Sequence, residues 1–357
     1  MLWTIAAPFF VTPEDRWIDD CLTGDDDRFY KIVRSTADSS WHDRAGRTTP
    51  LARWRSHWRQ SARALRIGEG LITVFPQLAF TAAIQRGLRR GRQPIIAWCF
   101  NIGGYPRGLR GRIAARILRR IDHFVVHSRA EVTMLARWLG LAEDRISFVP
   151  LQRAPIPVLA GEEEDAPFAV AMGSANRDYP TLIEAARISG IPLTIVAAPR
   201  LFEGVSLPDN VMLLSNLPVE DCWRLAQRAR FSIVPLADVQ EASGQVTVVE
   251  ALRMGRPLIA TRSNGTADYV EHDRTGLFVP PADAHELATT MSRLWHDRAL
   301  RERLGRAAAT FADGTLSDAS AAERLRALVC HVRSLAPPSR RMTRTDREHL
   351  DARVRSN

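Results

Sequence analysis

The sequence predicts two doubly wound α/β domains in tandem, each with a parallel sheet between helices. Its 357 residues suit two domains of about 150 to 200 residues each. In both halves short apolar runs alternate with longer helical patterns, which is typical of parallel α/β sheets. The alternation stops once, in a stretch rich in proline and acidic residues. We therefore predict domains over 1–152 and 167–336, a linker over 153–166, and a polar, arginine-rich, disordered tail over 337–357.

Six apolar runs rich in β-branched and aromatic residues predict the strands of the first domain. They are Leu2–Ala7, Phe29–Val33, Gly70–Phe75, Pro94–Phe100, Phe124–His127 and Arg145–Val149. Longer segments with apolar residues at helical spacing predict the helices between them. These are Leu51–Leu65, Gln77–Arg90, Leu109–Ile121 and Ala130–Leu139.

The second domain repeats the pattern. Its predicted strands are Phe168–Met172, Leu193–Ala197, Val211–Leu214, Phe231–Pro235, Pro257–Thr261 and Gly276–Val279. Its predicted helices are Tyr179–Ser189, Val219–Ala229, Gln245–Met254, Ala267–Glu271 and further helices from Ala284 onward. Ligands of such folds bind at the carboxyl ends of the strands, so we expect a shared ligand between the two domains.

The composition excludes several classes of function. A net charge of +9 favours a polyanionic partner, but Lys31 is the single lysine among 49 lysine and arginine residues. Because GC-rich coding DNA explains that bias better than phosphate contacts do, we predict no nucleic-acid partner. The four widely spaced cysteines form no metal or disulfide pattern. No apolar stretch matches a membrane span or a signal peptide, so we expect a cytoplasmic protein.

The stretch Glu241–Gly255 carries the strongest functional signal. Gly244 stands in the turn before a predicted helix, where a ligand can approach the backbone closely. The free amides of Gln245–Thr247 then form an anion site suited to a diphosphate. Glu250 lies one turn further along, where a carboxylate can accept hydrogen bonds from a ribose diol. On spacing alone, a capped helix with a solvated glutamate explains the pattern equally well.

The motif Ser243-Gly-Gln-x-Thr-x-x-Glu250-Ala-Leu-x-x-Gly255-x-Pro257 resembles the donor-binding signature of family-4 glycosyltransferases, the retaining enzymes of the GT-B fold. Three more segments resemble that family in the same order along the chain, and the resemblance covers roughly residues 94 to 310. The segments are Phe124–Pro150, Ala171–Ala185 and Gly265–Asp283.

This resemblance implies a GT-B fold, with two Rossmann-like domains facing across a cleft, and retaining transfer of a sugar of the hexosyl type. The donor would be a nucleotide-sugar and the acceptor a glycan or lipid-linked molecule, in cell-surface polysaccharide or glycolipid synthesis. Arg177 stands at the family's basic position, Ser174 replaces a second arginine, and Glu250 is assigned to the ribose. The donor diphosphate is assigned to Arg177, Ser243, Gly244, Gln245 and Thr247. Because these groups stabilise the leaving diphosphate electrostatically, we expect no metal and no cofactor.

Departures from the family pattern concern the catalytic positions. The family's second glutamate stands eight positions before the ribose-binding one, which here is Ala242, and Glu241 is one residue earlier. A histidine at the end of the fourth strand is replaced by Phe100, with Asn101 beside it. Glu241 and Asn101 are therefore the candidate catalytic residues, and a turn-forming role is the alternative for Asn101. A nucleotide-sugar epimerase on the same fold and a non-catalytic donor-binding or scaffold protein also stay open.

Two features of the first domain suggest other ligands. Gly24–Asp27 superficially resembles the metal-binding Asp-x-Asp of the other glycosyltransferase fold, but an acidic surface turn is the favoured interpretation. Trp54 and Trp58 lie on one face of an arginine-rich helix, which suits an anionic membrane surface as well as it suits packing. For the apolar stripe Leu109–Ile121 we favour core packing. A peripheral location on the inner face of the cytoplasmic membrane would fit a lipid-linked acceptor.

Overall fold

The computed structural model describes residues 1–22, 27–34 and 50–335. They form two compact units. Unit 1 contains Met1–Val126, Val132–Ser147 and the chain from Ala322 onward, and unit 2 contains His127–Glu131 and Phe148–Ala321. The predicted tail over 337–357 lies outside the described residues, as do Gly24, Asp25 and Asp26 of the acidic motif.

Unit 1 is built on a six-stranded sheet in the order β2-β1-β3-β4-β5-β6. The first five strands pair in parallel, and most of their buried side chains are apolar, as expected where helices cover both faces. The strands are β1 (Leu2–Ala6), β2 (Arg28–Ile32), β3 (Gly70–Val74), β4 (Ile95–Trp98), β5 (His123–Val126) and β6 (Ile146–Phe148).

The helices of this unit follow the strands as the sequence predicts. Pro76 begins one of them at its first position, where a missing N–H costs nothing. The helices are α1 (Leu51–Ile67), α2 (Pro76–Arg89), α3 (Gly108–Leu118), most of α4 (Arg129–Leu139) and, last in the chain, most of α10 (Asp318–Leu335).

Unit 2 has a second six-stranded sheet in the order β12-β11-β10-β7-β8-β9, with parallel neighbours throughout. The chain runs outward from β7 to one edge and then returns to lay the remaining strands on the other side of β7. The strands β7 and β10 are therefore neighbours at the topological switch point. The strands are β7 (Ala169–Met172), β8 (Leu193–Val196), β9 (Val211–Leu214), β10 (Ser232–Val234), β11 (Leu258–Thr261) and β12 (Leu277–Val279).

Side-chain caps explain where several helices of unit 2 begin. Asp178, Asp283 and Asp297 each accept a hydrogen bond from the backbone N–H three residues later, at 3.2, 2.9 and 2.8 Å. The helices are α5 (Tyr179–Ser189), α6 (Val219–Arg228), α7 (Gln245–Arg253), α8 (Ala284–His296) and α9 (Arg298–Thr315).

The helix predicted over Ala267–Glu271 is wrong, because this segment forms a series of turns. The buried Thr266 hydroxyl donates to the carbonyl of Thr261 at 2.6 Å and accepts from the N–H of Ser263 at 3.0 Å. The N–H of Glu271 donates to the side chain of Thr275 at 2.8 Å instead of to a helical carbonyl. Threonine side chains thus take the backbone groups that a helix would have paired.

The core-facing stripe predicted for the third helix is also wrong in its first half. Leu109 and Ile113 are 72% and 51% exposed. Only the end of the stripe is covered: Ile117 is half-buried and Ile121 is buried. None of the helices in the described residues has the length and apolar character needed to span a bilayer.

We expect Gly265→Ala to destabilise unit 2 by about 1 to 3 kcal/mol, the usual cost of overpacking. A Cβ at this position would lie 1.9 Å from the carbonyl oxygen and 2.5 Å from the nitrogen of Ser243, and backbone atoms cannot rotate away. Urea unfolding followed by circular dichroism measures the change. Gly161→Ala is the control, because its Cβ would enter open space; an equal midpoint for both variants would contradict the prediction.

Candidate functional site

The candidate site lies at the carboxyl ends of β7 and β10. The chain leaves these two strands in opposite directions, and in doubly wound sheets the crevice that results is where ligands bind. The loop after β7 runs from Gly173 to Asp178, and the loop after β10 runs from Pro235 to Gly244. A backbone bridge between Arg177 and Leu236 holds the two loops together.

Arg177 lies where the two loops meet. Its Nε donates to the Met172 carbonyl at 3.0 Å, one terminal nitrogen to the Ala175 carbonyl at 2.8 Å, and the other to Oγ1 of Thr247 at 3.0 Å. A guanidinium has five N–H donors, so these bonds fix its position and leave donors for a ligand. Gly173 permits this approach, because a Cβ there would lie 2.6 Å from the guanidinium.

The charge of Arg177 is not balanced by a carboxylate. Over residues 1–22, 27–34 and 50–335 it forms no ion pair with aspartate or glutamate. Burial lowers the pKa of Arg177, yet an arginine stays charged at neutral pH. A half-buried cation without a counter-charge attracts an anionic ligand.

Asn176 also joins the loop after β7 to the loop after β10. Its Nδ2 donates to the Asp238 carbonyl at 2.8 Å and to Oγ of Ser243 at 2.7 Å, and its Oδ1 accepts from the Asp238 N–H at 2.8 Å. The backbone of Asn176 has φ of 50°, a region that asparagine tolerates better than most residues. Tyr179 supports the same loop by donating to the Gly173 carbonyl, and burial raises the pKa of Tyr179 to about 12.

The start of α7 faces the same region through Thr247. Gly244 precedes the helix with φ of 84°, and a Cβ there would lie 3.2 to 3.3 Å from Val234 and Leu236. The N–H groups of the first turn have no partner inside the helix. The side chain of Gln245 is buried, and its Nε2 meets no acceptor among the described residues. The region therefore concentrates hydrogen-bond donors beside an uncompensated cation.

Glu250 has partners that the sequence did not suggest. Its Oε1 accepts from Nε1 of Trp223 at 3.3 Å and pairs with Arg153 at 2.8 Å. The Arg153 guanidinium also lies 5.6 Å from the centre of the Trp223 ring. Trp223 and Arg153 were missed because nothing in the local sequence links α6 or the segment after β6 to α7.

The two candidate catalytic residues belong to different units. Glu241 belongs to the loop before α7 in unit 2, half-buried, and its carboxylate bonds to none of the described residues. Asn101 belongs to unit 1, where its Oδ1 accepts from the N–H of Gly103 at 2.8 Å, the geometry of a turn-forming asparagine. The structure thus brings together Arg177, the α7 residues and Glu250 within unit 2, and all of these roles stay predictions.

No group of three or more potential metal ligands occurs in the part of the chain that the structure describes. Of the acidic motif in unit 1, Asp27 is described, and its carboxylate pairs with Arg333 at 2.8 Å.

Solved structures share the fold of the whole chain. Sucrose-phosphate synthase from Thermosynechococcus elongatus aligns with a TM-score of 0.69 at 16% identity, covering 94% of this chain and 99% of that one. Anabaena HepE in complex with UDP-glucose aligns with a TM-score of 0.64 at 13% identity, over 93% and 100% of the two chains. The two parallel six-stranded sheets are those of the GT-B glycosyltransferases, which confirms the predicted fold class.

Sequence comparison adds a family match for part of unit 2. Residues 197–311, which lie within unit 2, match the family described as "Glycosyl transferases group 1". The O-antigen chain mannosyltransferase C of Escherichia coli is 30% identical over 131 residues, which are 35% of this chain and 35% of that protein. The aligned region is therefore about a third of the relative's length.

We expect Asn176→Gly to destabilise the protein by about 0.5 to 1.5 kcal/mol, the net contribution of a hydrogen bond, because it removes the side chain that bonds to the exposed Asp238 backbone and to Ser243. Asn176→Ala should cost about 1 kcal/mol more, since alanine disfavours the positive φ that glycine accepts. Thermal unfolding of the wild type and both variants measures the order. Equal stability of the two variants would show that the backbone conformation is not maintained at this position.

Proposed function

We propose that the protein transfers a sugar from a nucleotide-sugar to a glycan or lipid-linked acceptor. The observation that carries this proposal is the uncompensated Arg177 cation, held against Thr247 at the start of α7 and at the switch point of the sheet. The group 1 match over residues 197–311 agrees with it. HepE, which has the same fold, was crystallised with UDP-glucose, so UDP and UDP-sugars are the first ligands to test.

The chemistry requires a stabilised leaving group. When the bond between the sugar and the diphosphate breaks, negative charge develops on the terminal phosphate. Two N–H donors of Arg177 remain unused, and with the first-turn amides of α7 they form a preorganised set of donors for that charge. The proposed reaction is retaining and independent of a divalent metal. We assign Ser243, Gly244, Gln245 and Thr247 to the diphosphate together with Arg177.

The donor ribose and sugar are assigned to carboxylates. Glu250 stands one turn beyond Thr247 on α7, which places it about 4.5 Å further along the helix axis, a spacing that suits a ribose next to a diphosphate. Glu241 has a carboxylate without a partner among the described residues, so it is available to bind hydroxyls of the donor sugar. An epimerase would use the same donor site without an acceptor, and a scaffold would bind the donor without turnover.

We expect a nucleoside diphosphate at about 100 times its Kd to stabilise the wild type by about 2.7 kcal/mol. Arg177→Ala and Glu250→Ala should each weaken that binding at least tenfold, on the order of the contribution of a charged hydrogen bond. A thermal-shift screen with UDP, GDP, ADP and their sugars, followed by calorimetry, measures both effects.

Matched controls lie on α5, where Arg187 and Glu184 form an exposed pair with each other. Arg187→Ala and Glu184→Ala should leave nucleotide binding unchanged, because exposed pairs contribute little. If no nucleotide binds the wild type, the donor site is refuted. Transfer of labelled sugar to a lipid or glycan extract, undiminished by EDTA, then separates a metal-independent transferase from an epimerase and from a scaffold.

We further propose that unit 1 binds an anionic membrane surface. Its helices expose large apolar side chains beside exposed arginines, which is the composition of interfacial helices. On α3, Leu109 and Ile113 are accompanied by Arg112 and Arg116. Further exposed apolar side chains include Leu51 and Trp58 on α1 and Leu88 on α2.

The tryptophans of α1 differ in their surroundings. The Trp54 ring packs edge-on against Phe80 at 6.0 Å, whereas Trp58 is 41% exposed. An open groove of about 430 Å³ is lined by Trp54, Arg55, Trp58 and Arg59. Tryptophan beside arginine favours the headgroup region of a bilayer, and a membrane surface would bring a lipid-linked acceptor to unit 1.

We expect the wild type to float with phosphatidylglycerol vesicles and not with phosphatidylcholine vesicles, since the attraction is electrostatic. Arg112→Ser with Arg116→Ser should lower the partition by about 2 kcal/mol, on the order of thirtyfold. Leu109→Ser with Ile113→Ser should lower it as well. Met212→Ser, which changes an exposed apolar residue of unit 2, is the control, and equal flotation of all variants would refute this surface.

A further inference from the structure

The residues around Glu250 form a continuous row beyond the proposed diphosphate site. Arg177 contacts Thr247 at the first turn of α7, and Glu250 follows one turn later. From Glu250 the row continues to the indole of Trp223 on α6 and to Arg153. In a nucleoside diphosphate the order of groups is phosphate, ribose and base. In this row, the group next to Glu250, the carboxylate assigned to the ribose, is the aromatic ring of Trp223.

The Trp223 indole has a fixed orientation. Its Nε1 donates to Glu250 at 3.3 Å, which ties one edge of the ring to the carboxylate. The side chain is half-buried, so the ring is neither a core residue nor fully solvated. Aromatic rings held in this way stack on nucleobases independently of base identity.

Arg153 lies over the ring of Trp223. Its guanidinium lies 5.6 Å from the ring centre, within the range of a cation–π contact. It also pairs with the same Oε1 of Glu250 that the indole contacts. The Arg153 side chain is 40% exposed, so it has room to move away from the ring into solvent. A ribose that used both oxygens of Glu250 would compete with Arg153 for Oε1.

We propose that the Trp223 ring is the stacking platform for the nucleobase of the donor, and that Arg153 covers this platform until a nucleotide displaces it. The proposal rests on the proposed donor site, because it takes Glu250 as the ribose ligand. It adds two residues, Trp223 and Arg153, to the determinants of nucleotide binding. The competing explanation is that Arg153 only ties the segment after β6 to α7, since its N–H also donates to the Leu316 carbonyl at 2.9 Å.

The test compares binding of a nucleoside diphosphate with binding of inorganic pyrophosphate to the full chain by calorimetry. Trp223→Leu keeps an apolar side chain and removes the ring, so the Kd of UDP, GDP or ADP, whichever binds the wild type, should rise about tenfold or more. The Kd of pyrophosphate should stay within about twofold, because pyrophosphate has no base to stack. Trp223→Phe should retain most of the nucleotide affinity, since the ring remains.

Arg224→Ala is the matched control, because Arg224 is the next residue on α6 and is exposed; it should change neither Kd. Arg153→Ala should bind the nucleoside diphosphate at least as tightly as the wild type. Weaker binding by Arg153→Ala would make Arg153 a ligand and overturn its covering role. Unchanged nucleotide binding by Trp223→Leu would overturn the platform while leaving the donor site intact.

The remaining outcomes distinguish failure of the stacking platform from failure of the donor site. Parallel loss of pyrophosphate and nucleotide binding by Trp223→Leu would mean that Trp223 supports the diphosphate site as a whole, and it would overturn the platform. If the wild type binds pyrophosphate but no nucleoside diphosphate, the proposed donor site fails and this inference fails with it. Nucleotide binding that depends on Arg177 but not on Trp223 would leave only the donor site standing.

Discussion

The hydrogen bond between Arg177 and Thr247 is the interaction on which the site depends. It joins the loop after β7 to the first turn of α7, the element that follows β10. Without it, the guanidinium would be held by the loop after β7 alone and would lose its contact with α7. Two backbone carbonyls hold the same guanidinium from behind. The cation is thus fixed at a cost in desolvation that a bound anion would offset.

Close backbone contacts make this arrangement possible. Gly173 allows the guanidinium to approach the loop, and Gly265 allows the turn after β11 to press against Ser243. Ser243 in turn accepts from Asn176. The loop before α7 is therefore held from both sides, by the 263–269 turn and by the loop after β7. Such a loop can present its amides without reorganising when a ligand arrives, which is the condition for electrostatic stabilisation of a leaving group.

Most of the fold could be predicted from local sequence patterns. Alternating apolar runs predicted all twelve strands of the described residues, and glycine before Gln245–Thr247 predicted the start of α7, because these features depend on neighbouring residues alone. The helix predicted over Ala267–Glu271 failed because Thr266 bonds to Thr261 across a turn, a contact that apolar spacing does not encode. The exposure of Leu109 was missed since a helical stripe predicts amphipathicity but not whether another element covers it.

The candidate site was predictable only where its residues belong to a motif that resembles the family. Arg177, Thr247 and Glu250 were identified from the resemblance to the family, whereas Asn176, Trp223 and Arg153 meet the others only through the sheet order. That difference has a physical consequence. The two arginines differ in their electrostatic surroundings: Arg177 has no counter-charge among the described residues, and Arg153 pairs with Glu250. The diphosphate of an incoming nucleotide would give Arg177 a counter-charge. The ribose would compete with Arg153 for Glu250. Arg177 and Glu250 would therefore both have partners in the bound state.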